Sequence, residues 1–455
     1  MNNQIRCITL SLFAMFGMNV QAWGECECPL DGPQVVVYED NGEARPRFDD
    51  GDNCNDCEDC DDCCDFLDDC WDLEWKHECR YWIGGGQFTE NEHDVAEQLL
   101  SHNWPTEEEK AFLYRVFESD PCDAKYLFNA LSGSQYSQIM ITTEFATSRF
   151  LRRLYDPLRP ILAYYPSRVE EYPCGSFSST PTYWVAVNGG KQFVSTDHRS
   201  FGFKASNFEA IAGAQLQLNP TLFLGAAAFY ENTHTKFKLG GNGNGHTVLG
   251  GIYFASSHRN YYVFGDLVAG GTNTSVKRSF KLCHDRFSKR GDPSSCQAAL
   301  YLEGGVNFNY HSYFLFQPFL GMEFGYYHFN RFHEKGNEFT QLSVKARAYG
   351  NVGSRLGVHF STLPNPWGFY GFYLGLDLVW VCLWDNTQHF RHARFKGCGD
   401  NFKIHASDVS NNAFEIALNV TQQVGEFLSF YVTANAQGNQ TSESYDVLGG
   451  IRLEW

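Results

Sequence analysis

Apolar and polar positions alternate along the second half of the chain. Between residues 208 and 218 the even positions are Phe, Ala or Leu, whereas Glu209 and Gln215 occupy odd positions. Residues 415–421 and 428–435 repeat this alternation. Because successive side chains of a strand point to opposite faces, each segment predicts a strand with one apolar face. A dry soluble core is the alternative, but several segments have the length of a tilted membrane span.

Turn residues such as Asn219-Pro220 and Pro364-Asn365-Pro366 separate these segments. About twelve or thirteen candidates are present, and bacterial outer-membrane barrels have even strand numbers. We therefore predict an all-β fold, a transmembrane antiparallel barrel of about twelve strands. The candidates are 182–194, 208–218, 221–231, 246–256, 260–273, 298–311, 313–328, 339–348, 352–361, 368–384, 415–421, 428–435 and 443–455.

Residues between the acidic N-terminal part and the strands are predicted to be helical. Thr106 and Glu109 have the spacing of a capping box, and apolar residues follow at helical spacing. A second helix is predicted over 143–154, with prolines at 157 and 160 ending or kinking it. It carries Arg149, Arg152 and Arg153, which either face acidic groups in a pore or form a solvated helix face.

The N-terminus has the pattern of a secretory signal peptide. A basic start precedes an apolar stretch at 8–18, and Val20-Gln21-Ala22 has the form of a cleavage site. No later window is apolar enough for a spanning helix, so membrane insertion requires a barrel. Aromatic residues make up 16% of the chain, which suits the aromatic girdles of such barrels.

Negative charge is concentrated in one segment. Residues 23–100 contain 24 Asp or Glu and four Lys or Arg, whereas the whole chain has a net charge of −18. Since the sequence shows no basic run, a nucleic-acid partner is not expected. No Gly-x-Ser-x-Gly or His-Glu-x-x-His signature occurs, so neither an enzyme nor a cofactor is predicted.

The acidic segment is rich in cysteine. Cys54, Cys57, Cys60 and Cys63 form three consecutive Cys-x-x-Cys steps. In an exported segment such thiols favour disulfides, and a zinc or other metal site is the alternative. Two further pairs are predicted, each across one loop of the barrel: Cys283 with Cys296, and Cys382 with Cys398.

Residues 127–455 resemble the translocator domain of bacterial autotransporters, the type V secretion proteins. The first likeness is Leu131-Ser132-Gly133, which resembles the motif just upstream of that domain, followed by the helix at 143–154. The early strands at 201–213 and 222–230 are also similar. Further on, the passages are Phe316-Gln317-Pro318-Phe319, Phe332-His333-Glu334-Lys335-Gly336 and Arg355-Leu356-Gly357.

This resemblance implies a barrel of twelve strands with a helix in or near its pore, and a passenger at the cell surface. Inward polar residues such as Glu209 and Arg452 would hydrate the lumen or hold the helix. The final strand ends on Ile451, Leu453 and Trp455, which resemble the C-terminal signal read by the outer-membrane assembly machinery. The high cysteine content also resembles that of the chlamydial polymorphic outer-membrane proteins.

The predicted domains are a signal peptide at 1–22, an irregular acidic Cys-rich segment at 23–86, a helical linker region at 87–173 and the barrel at 174–455. The leading function is an outer-membrane translocator that exports or displays the Cys-rich segment. A porin-like or disulfide-linked structural envelope protein and a metal-binding module on a barrel anchor are the alternatives. Expected partners are outer-membrane lipid, the barrel assembly machinery and other Cys-rich envelope proteins.

Overall fold

The computed structural model describes residues 89–101, 106–117, 121–168, 181–219, 221–258, 260–282, 285–310, 314–336, 340–363, 371–384, 389–396, 400–425 and 427–454. Helices precede all strands in the described part of the chain. They are α1 (Glu90–Ser101), α2 (Glu107–Phe117), α3 (Pro121–Ser132), α4 (Gln135–Tyr155), a 3₁₀ turn (Asp156–Leu158) and α5 (Arg159–Arg168).

Twelve long strands form the wall of the barrel, and six short strands lie in its loops. The wall consists of β1 (Pro181–Val194), β2 (Phe203–Asn219), β3 (Leu222–Phe237), β4 (Asn242–Ser257), β5 (Tyr261–Leu282), β7 (Ser294–Val306), β9 (Phe314–Phe329), β12 (Arg347–Thr362), β13 (Phe372–Leu383), β16 (Asn412–Val424), β17 (Leu428–Gly438) and β18 (Ser442–Glu454). The loop strands are β6 (Asp285–Gly291), β8 (Phe308–Tyr310), β10 (Phe332–His333), β11 (Leu342–Val344), β14 (Phe390–Phe395) and β15 (Phe402–His405).

The wall closes on itself through antiparallel pairs. The first and last strands are neighbours, with Tyr183 opposite Leu453, and β9 pairs with β12 as well as with β7. The predicted twelve-stranded barrel is therefore confirmed. The candidate strand at 339–348 was wrong, because this stretch contains the short loop strand β11 and the first residues of β12. Its apolar residues instead pack in a loop, where Leu342 and Val344 are buried.

The two faces of the wall are inverted relative to a soluble protein. Outward positions are apolar and exposed, as with Val185, Val248 and Ile252, each more than 50% exposed. Inward positions are polar and buried, as with Glu209 and Asp377. Exposed apolar surface of this extent requires lipid rather than water, so the wall is a membrane-spanning barrel. Among the described helices, none is long and apolar enough to cross a membrane.

The two ends of the barrel differ in loop length. Short turns join β2 to β3, β4 to β5, and β16 to β17 at one end, which we call the short-turn end. The opposite, long-loop end carries the connections that contain β6, β10–β11 and β14–β15. In outer-membrane barrels the short turns face the periplasm and the long loops face outward. The long-loop end is therefore the outer end.

Helix α4, the pore helix, runs through the lumen. Sixteen of its 21 residues are buried. At the long-loop end, Gln138 Nε2 donates to Phe201 O at 2.8 Å. At the short-turn end, just beyond the helix, Pro157 O accepts from Arg452 Nη1 at 2.8 Å. The helix is longer than the predicted 143–154, because polar residues at its start find partners in the loops and hide the apolar periodicity.

Helices α1–α3 pack on the long-loop end together with the loop sheet β10-β11-β14-β15, and we call this assembly the outer cap. The predicted capping box forms at α2, since Thr106 N donates to Glu109 Oε2 and Glu109 N donates to Thr106 Oγ1. One hydrophobic cluster joins the helices to the sheet; it includes Val95, Leu99, Phe112, Phe128, Leu131, Leu342, Phe395 and Ile404.

Candidate functional site: the occupied pore and its outer cap

The middle of the pore helix is held by buried charges of the barrel wall. Arg149 Nε donates to Glu209 Oε1 of β2 at 2.7 Å, and its Nη2 donates to Glu231 Oε2 of β3 at 2.8 Å. Asn188 of β1 donates a further hydrogen bond to Glu209 at 2.7 Å. All these side chains are buried, so each charge is stabilised by its partners rather than by bulk water.

The other two arginines singled out in the sequence reach different parts of the wall. Arg152 Nη1 donates to Glu415 Oε2 of β16 at 2.7 Å, and Arg355 of β12 donates to the same oxygen at 2.5 Å. Arg153 pairs with Asp446 of β18 and with Asp156, the latter at 3.1 Å. The structure thus places all three arginines inside the lumen, each on a different group of strands.

A second charged cluster lies nearer the short-turn end, and sequence reasoning did not single it out. Arg159 of α5 pairs with Asp156 at 3.0 Å and with Asp377 of β13. His359 Nδ1 lies 2.7 Å from Asp377 Oδ1, and its Nε2 lies 3.3 Å from Glu303 Oε1. The alternation of apolar and polar residues in β7, β12 and β13 predicts that Glu303, His359 and Asp377 point inward. This pattern could have identified the cluster from the sequence.

These contacts determine what the lumen can do. The helix supplies cations and the wall supplies most of the anions, so the complementary charges hold α4 in the pore. Most of the helix is buried, and aromatic contacts add to the filling, since Phe150 stacks on Phe229 with ring centroids 4.8 Å apart. A filled lumen argues against the open channel of a porin.

The Leu131-Ser132-Gly133 motif forms the junction between α3 and the pore helix. Leu131 is buried in the core of the outer cap. Ser132 Oγ donates to Asn129 O at 2.6 Å and accepts from Ser134 N at 3.2 Å. Gly133 has φ +73°, the left-handed conformation that ends a helix and favours glycine. The motif therefore ends one helix and starts the next within two residues.

A buried ion pair clamps this junction to the barrel loops. Arg278 of β5 forms a bidentate pair with Glu334, with distances of 2.9 and 2.7 Å. The same guanidinium donates to Ala130 O at 2.7 Å and to Leu131 O at 3.0 Å, the final carbonyls of α3. Tyr136 at the start of the pore helix donates to Glu334 at 2.6 Å. Sequence reasoning quoted Glu334 only as part of a turn and missed Arg278.

Polar residues of α1 attach the helices of the outer cap to the edge of its loop sheet. Asn91 Oδ1 accepts from His405 N at 2.6 Å, and Asn91 Nδ2 donates to His405 O at 2.9 Å. One turn further on, Asp94 accepts from Lys403 N at 3.3 Å, and then Gln98 accepts from Asp400 N at 3.0 Å. Side chains on one face of α1 thus satisfy the backbone of the edge strand β15.

Several residues singled out in the sequence lie outside the described part of the chain, and each predicted cysteine pair of the barrel is described for one partner only. Cys296 and Cys382 are described, and both lie on outward positions of their strands. Their proposed partners and Trp455 lie outside the described residues, so both pairings and the role of Trp455 stay predictions. Ile451 and Leu453 point outward and are about 40% exposed. Also outside are Cys54, Cys57, Cys60 and Cys63.

Within the described ranges, no group of three or more His, Cys, Asp or Glu residues is placed to hold a metal ion. The metal alternative concerned the Cys-rich segment at 23–86, which precedes the first described residue. It therefore also stays a prediction. The chemistry of the described site is electrostatic: it positions a helix inside a barrel and an outer cap above it.

The fold and the site together define an outer-membrane β-barrel whose pore is occupied by the segment that precedes its first strand. The autotransporter β-domain family matches residues 183–435, more than half of the chain, and the protein belongs to this family. Barrels of this family reside in the bacterial outer membrane and are inserted by the barrel assembly machinery. The family comprises translocators and anchors rather than enzymes. Whether this chain is of the chlamydial polymorphic kind stays a prediction.

A solved structure supports this fold. The translocator domain of the autotransporter NalP from Neisseria meningitidis superposes with a TM-score of 0.56 at 11% identity, covering 71% of this chain and all of that domain. The β-domain of the Bordetella autotransporter BrkA gives a TM-score of 0.46 at 16% identity, covering 61% of this chain and all of that domain. No curated protein matches the chain significantly by sequence.

Proposed function

We propose that this translocator exports and then permanently displays the acidic Cys-rich segment at 23–86 on the outer face of the membrane. The observation that carries the proposal is the position of Thr89. This residue begins the described chain and lies in the outer cap, where its Oγ1 accepts from Asn129 Nδ2 at 3.2 Å. The chain immediately after the Cys-rich segment is therefore at the outer end of the barrel.

The path of the chain supports anchoring rather than release. From Thr89 it passes through the outer cap, then down the lumen as the pore helix, and reaches the short-turn end at Asp156–Leu158 before entering β1. The arginines of the pore helix are paired with four different wall strands. A helix held by this many ion pairs would anchor the preceding Cys-rich segment to the barrel.

The outer cap gives the displayed segment a folded base. Helices α1–α3 are too short to be stable alone, but they complete a core with the barrel loops. The acidic character of residues 23–86 suits exposure to water, because burying so many carboxylates without partners would be costly. Its cysteines would form disulfides within the segment or with other envelope proteins.

Surface proteolysis tests this proposal on the full-length protein in cells. We expect protease added to intact cells to remove an epitope in residues 23–86, with the barrel left intact. Reduction before proteolysis should speed the cleavage if disulfides rigidify the segment. An epitope inserted at 364–370, the stretch of sequence that connects β12 to β13, is the matched control, because these two strands meet it from the short-turn end.

The control epitope should be cleaved only after the outer membrane is permeabilised. Display is contradicted if the Cys-rich epitope behaves like this control and survives in intact cells. In that case the N-terminal segment would lie in the periplasm.

A further inference from the structure

One sector of the outer barrel surface carries a row of cations that the sequence does not reveal. Strand register places Lys204 of β2 opposite Lys236 of β3, and Lys236 opposite Asn242 of β4. Asn242 in turn lies opposite Lys277 of β5, and Lys277 lies opposite Arg290 of β6. Five adjacent strands thus contribute one continuous line near the long-loop end. We call its four charged residues the cation row.

Within the protein the cation row is poorly compensated. Like charges on directly opposed strand positions repel each other, and the row contains two such pairs, Lys204 with Lys236 and Lys277 with Arg290. Among the described residues, no ion pair involves Lys204, Lys236 or Lys277, whereas Arg290 contacts Asp292 at 3.3 Å. Asp292 is shared with Lys335 at 2.5 Å, which leaves the neighbourhood strongly positive.

The row is confined to one side of the barrel. The described exposed positions of β1–β6 carry Lys191 in addition to the four cations of the row. The described exposed positions of β7, β9, β12, β13 and β16–β18 carry no Lys or Arg. Exposed positions there include aromatic residues such as Tyr326, Trp380 and Trp384. Among the described wall strands the exposed cations lie in this sector, beside aromatic residues such as Phe208 and Tyr230, and they indicate an anionic neighbour in the membrane.

Polar side chains lie between the cation row and the apolar, outward-facing residues nearer the membrane centre. An open groove of about 720 Å³ is lined by Asn244, His246, Asn273 and Lys277, among others. Below it on the same outward faces come Val248 and Ile252, which are 59% and 58% exposed. From the outer end toward the membrane centre, the surface therefore changes from cationic to amide-rich to apolar.

We propose that this sector binds a phosphorylated glycolipid of the outer leaflet. Its phosphates would contact the cation row, its sugar hydroxyls would hydrogen-bond to the amides of the groove, and its acyl chains would lie along Val248 and Ile252. The order of these three surfaces matches the order of the three chemical parts of such a lipid. A soluble polyanion has no acyl chains and would leave the apolar surface below the groove without a contact.

A titration with lipid A, a diphosphorylated disaccharide lipid, tests the proposal on the full-length, detergent-solubilised protein. We expect the double variant Lys236→Ser/Lys277→Ser to bind lipid A about 25-fold more weakly, at about fivefold for each cation lost. The charge-conserving Lys236→Arg/Lys277→Arg variant should retain binding. Lys345→Ser/Lys396→Ser removes the same charge from exposed positions in the loops of the outer cap and should not change the affinity.

Each variant counts as folded if its electrophoretic mobility still changes on heating, as it does for an intact barrel. Unchanged lipid A affinity in the Lys236→Ser/Lys277→Ser variant would overturn the proposal. So would equal weakening by the outer-cap control, because the effect would then follow net charge alone. Efficient competition by inorganic pyrophosphate would likewise overturn it in favour of a site for soluble anions.

Discussion

At the scale of single residues, the Arg278–Glu334 pair links three segments that are far apart in sequence. The carboxylate of Glu334 accepts from Arg278, Tyr136 and the backbone N–H of Leu342, and the guanidinium of Arg278 also holds the end of α3. Both side chains are fully buried. An isolated charge at either position would have no solvent to stabilise it.

We predict that Arg278→Ala destabilises docking of the outer cap by about 3–5 kcal/mol, because Glu334 is left buried without its counter-charge. The measurement is the rate of limited proteolysis within residues 89–132 in the folded protein. The double variant Arg278→Met/Glu334→Met should be less damaging than Arg278→Ala, since it leaves no isolated charge. Equal cleavage rates for the two variants would contradict this explanation.

Gly133 is a second residue whose role follows from geometry. Its φ of +73° is a left-handed conformation that other residues rarely adopt, and an added Cβ would lie 2.5 Å from Leu342 Cδ1, so the Leu342 side chain would have to shift. We predict that Gly133→Ala costs about 1–2 kcal/mol from the left-handed backbone alone. Thermal unfolding of the outer cap, followed by near-ultraviolet circular dichroism, measures the loss. Gly189→Ala, where no atom lies within 4 Å, is the control and should be nearly neutral.

At the scale of elements, the pore helix and the wall depend on each other's charges. Removing Arg149 leaves Glu209 and Glu231 facing each other without a cation. We predict that Arg149→Met loosens the helix and raises the frequency of open-channel events in planar bilayers, whereas the wild type stays closed. Arg331→Met, at an exposed loop position, is the control. A closed pore in both variants would show that other contacts suffice.

The attachment of α1 to β15 should depend on pH. Burial lowers the pKa of His405 below its usual 6.5, and burial also lowers the pKa of His392 nearby. The folded state therefore binds fewer protons than the unfolded one, and its stability falls as pH decreases below about 6.5. We predict faster proteolysis of the outer cap at pH 5.5 than at pH 7.5. His405→Gln should reduce this difference, and an unchanged difference would exclude His405 as its source.

The sequence predicted the elements that depend on local pattern. Alternation placed Glu209 inward and Val447 outward, as the structure has them. It therefore also predicted that acidic side chains line the inner face of the wall. The strands of the loop sheet could not be predicted, because β11 pairs with β14, more than 40 residues away, and both are short. The role of Arg278 could not be predicted either, because its partner Glu334 is 56 residues away and is brought to it only by the tertiary fold.

At the scale of the whole molecule, the wall is closed by strands from opposite ends of the barrel sequence. The last strand, β18, pairs with β1 and brings Leu453 opposite Tyr183. We predict that Trp455→Ser lowers the amount of heat-modifiable barrel in the outer-membrane fraction, because the terminal aromatic residue resembles the assembly signal. Trp384→Ser, at an exposed position of the outer rim, is the control. Normal insertion of the Trp455 variant would count against the signal.

The shared core of the outer cap has a consequence for the direction of travel. Its residues come from the helices, between 95 and 141, and from strand ends and loops of the barrel as far along the chain as Ala406, so neither set can complete the core alone. On the export route proposed above, α1–α3 would have no such loops to pack on inside the lumen and would pass through it unfolded. Once outside, they would fold against the finished barrel and become too wide to return. Folding of the outer cap would then make the last step of export irreversible.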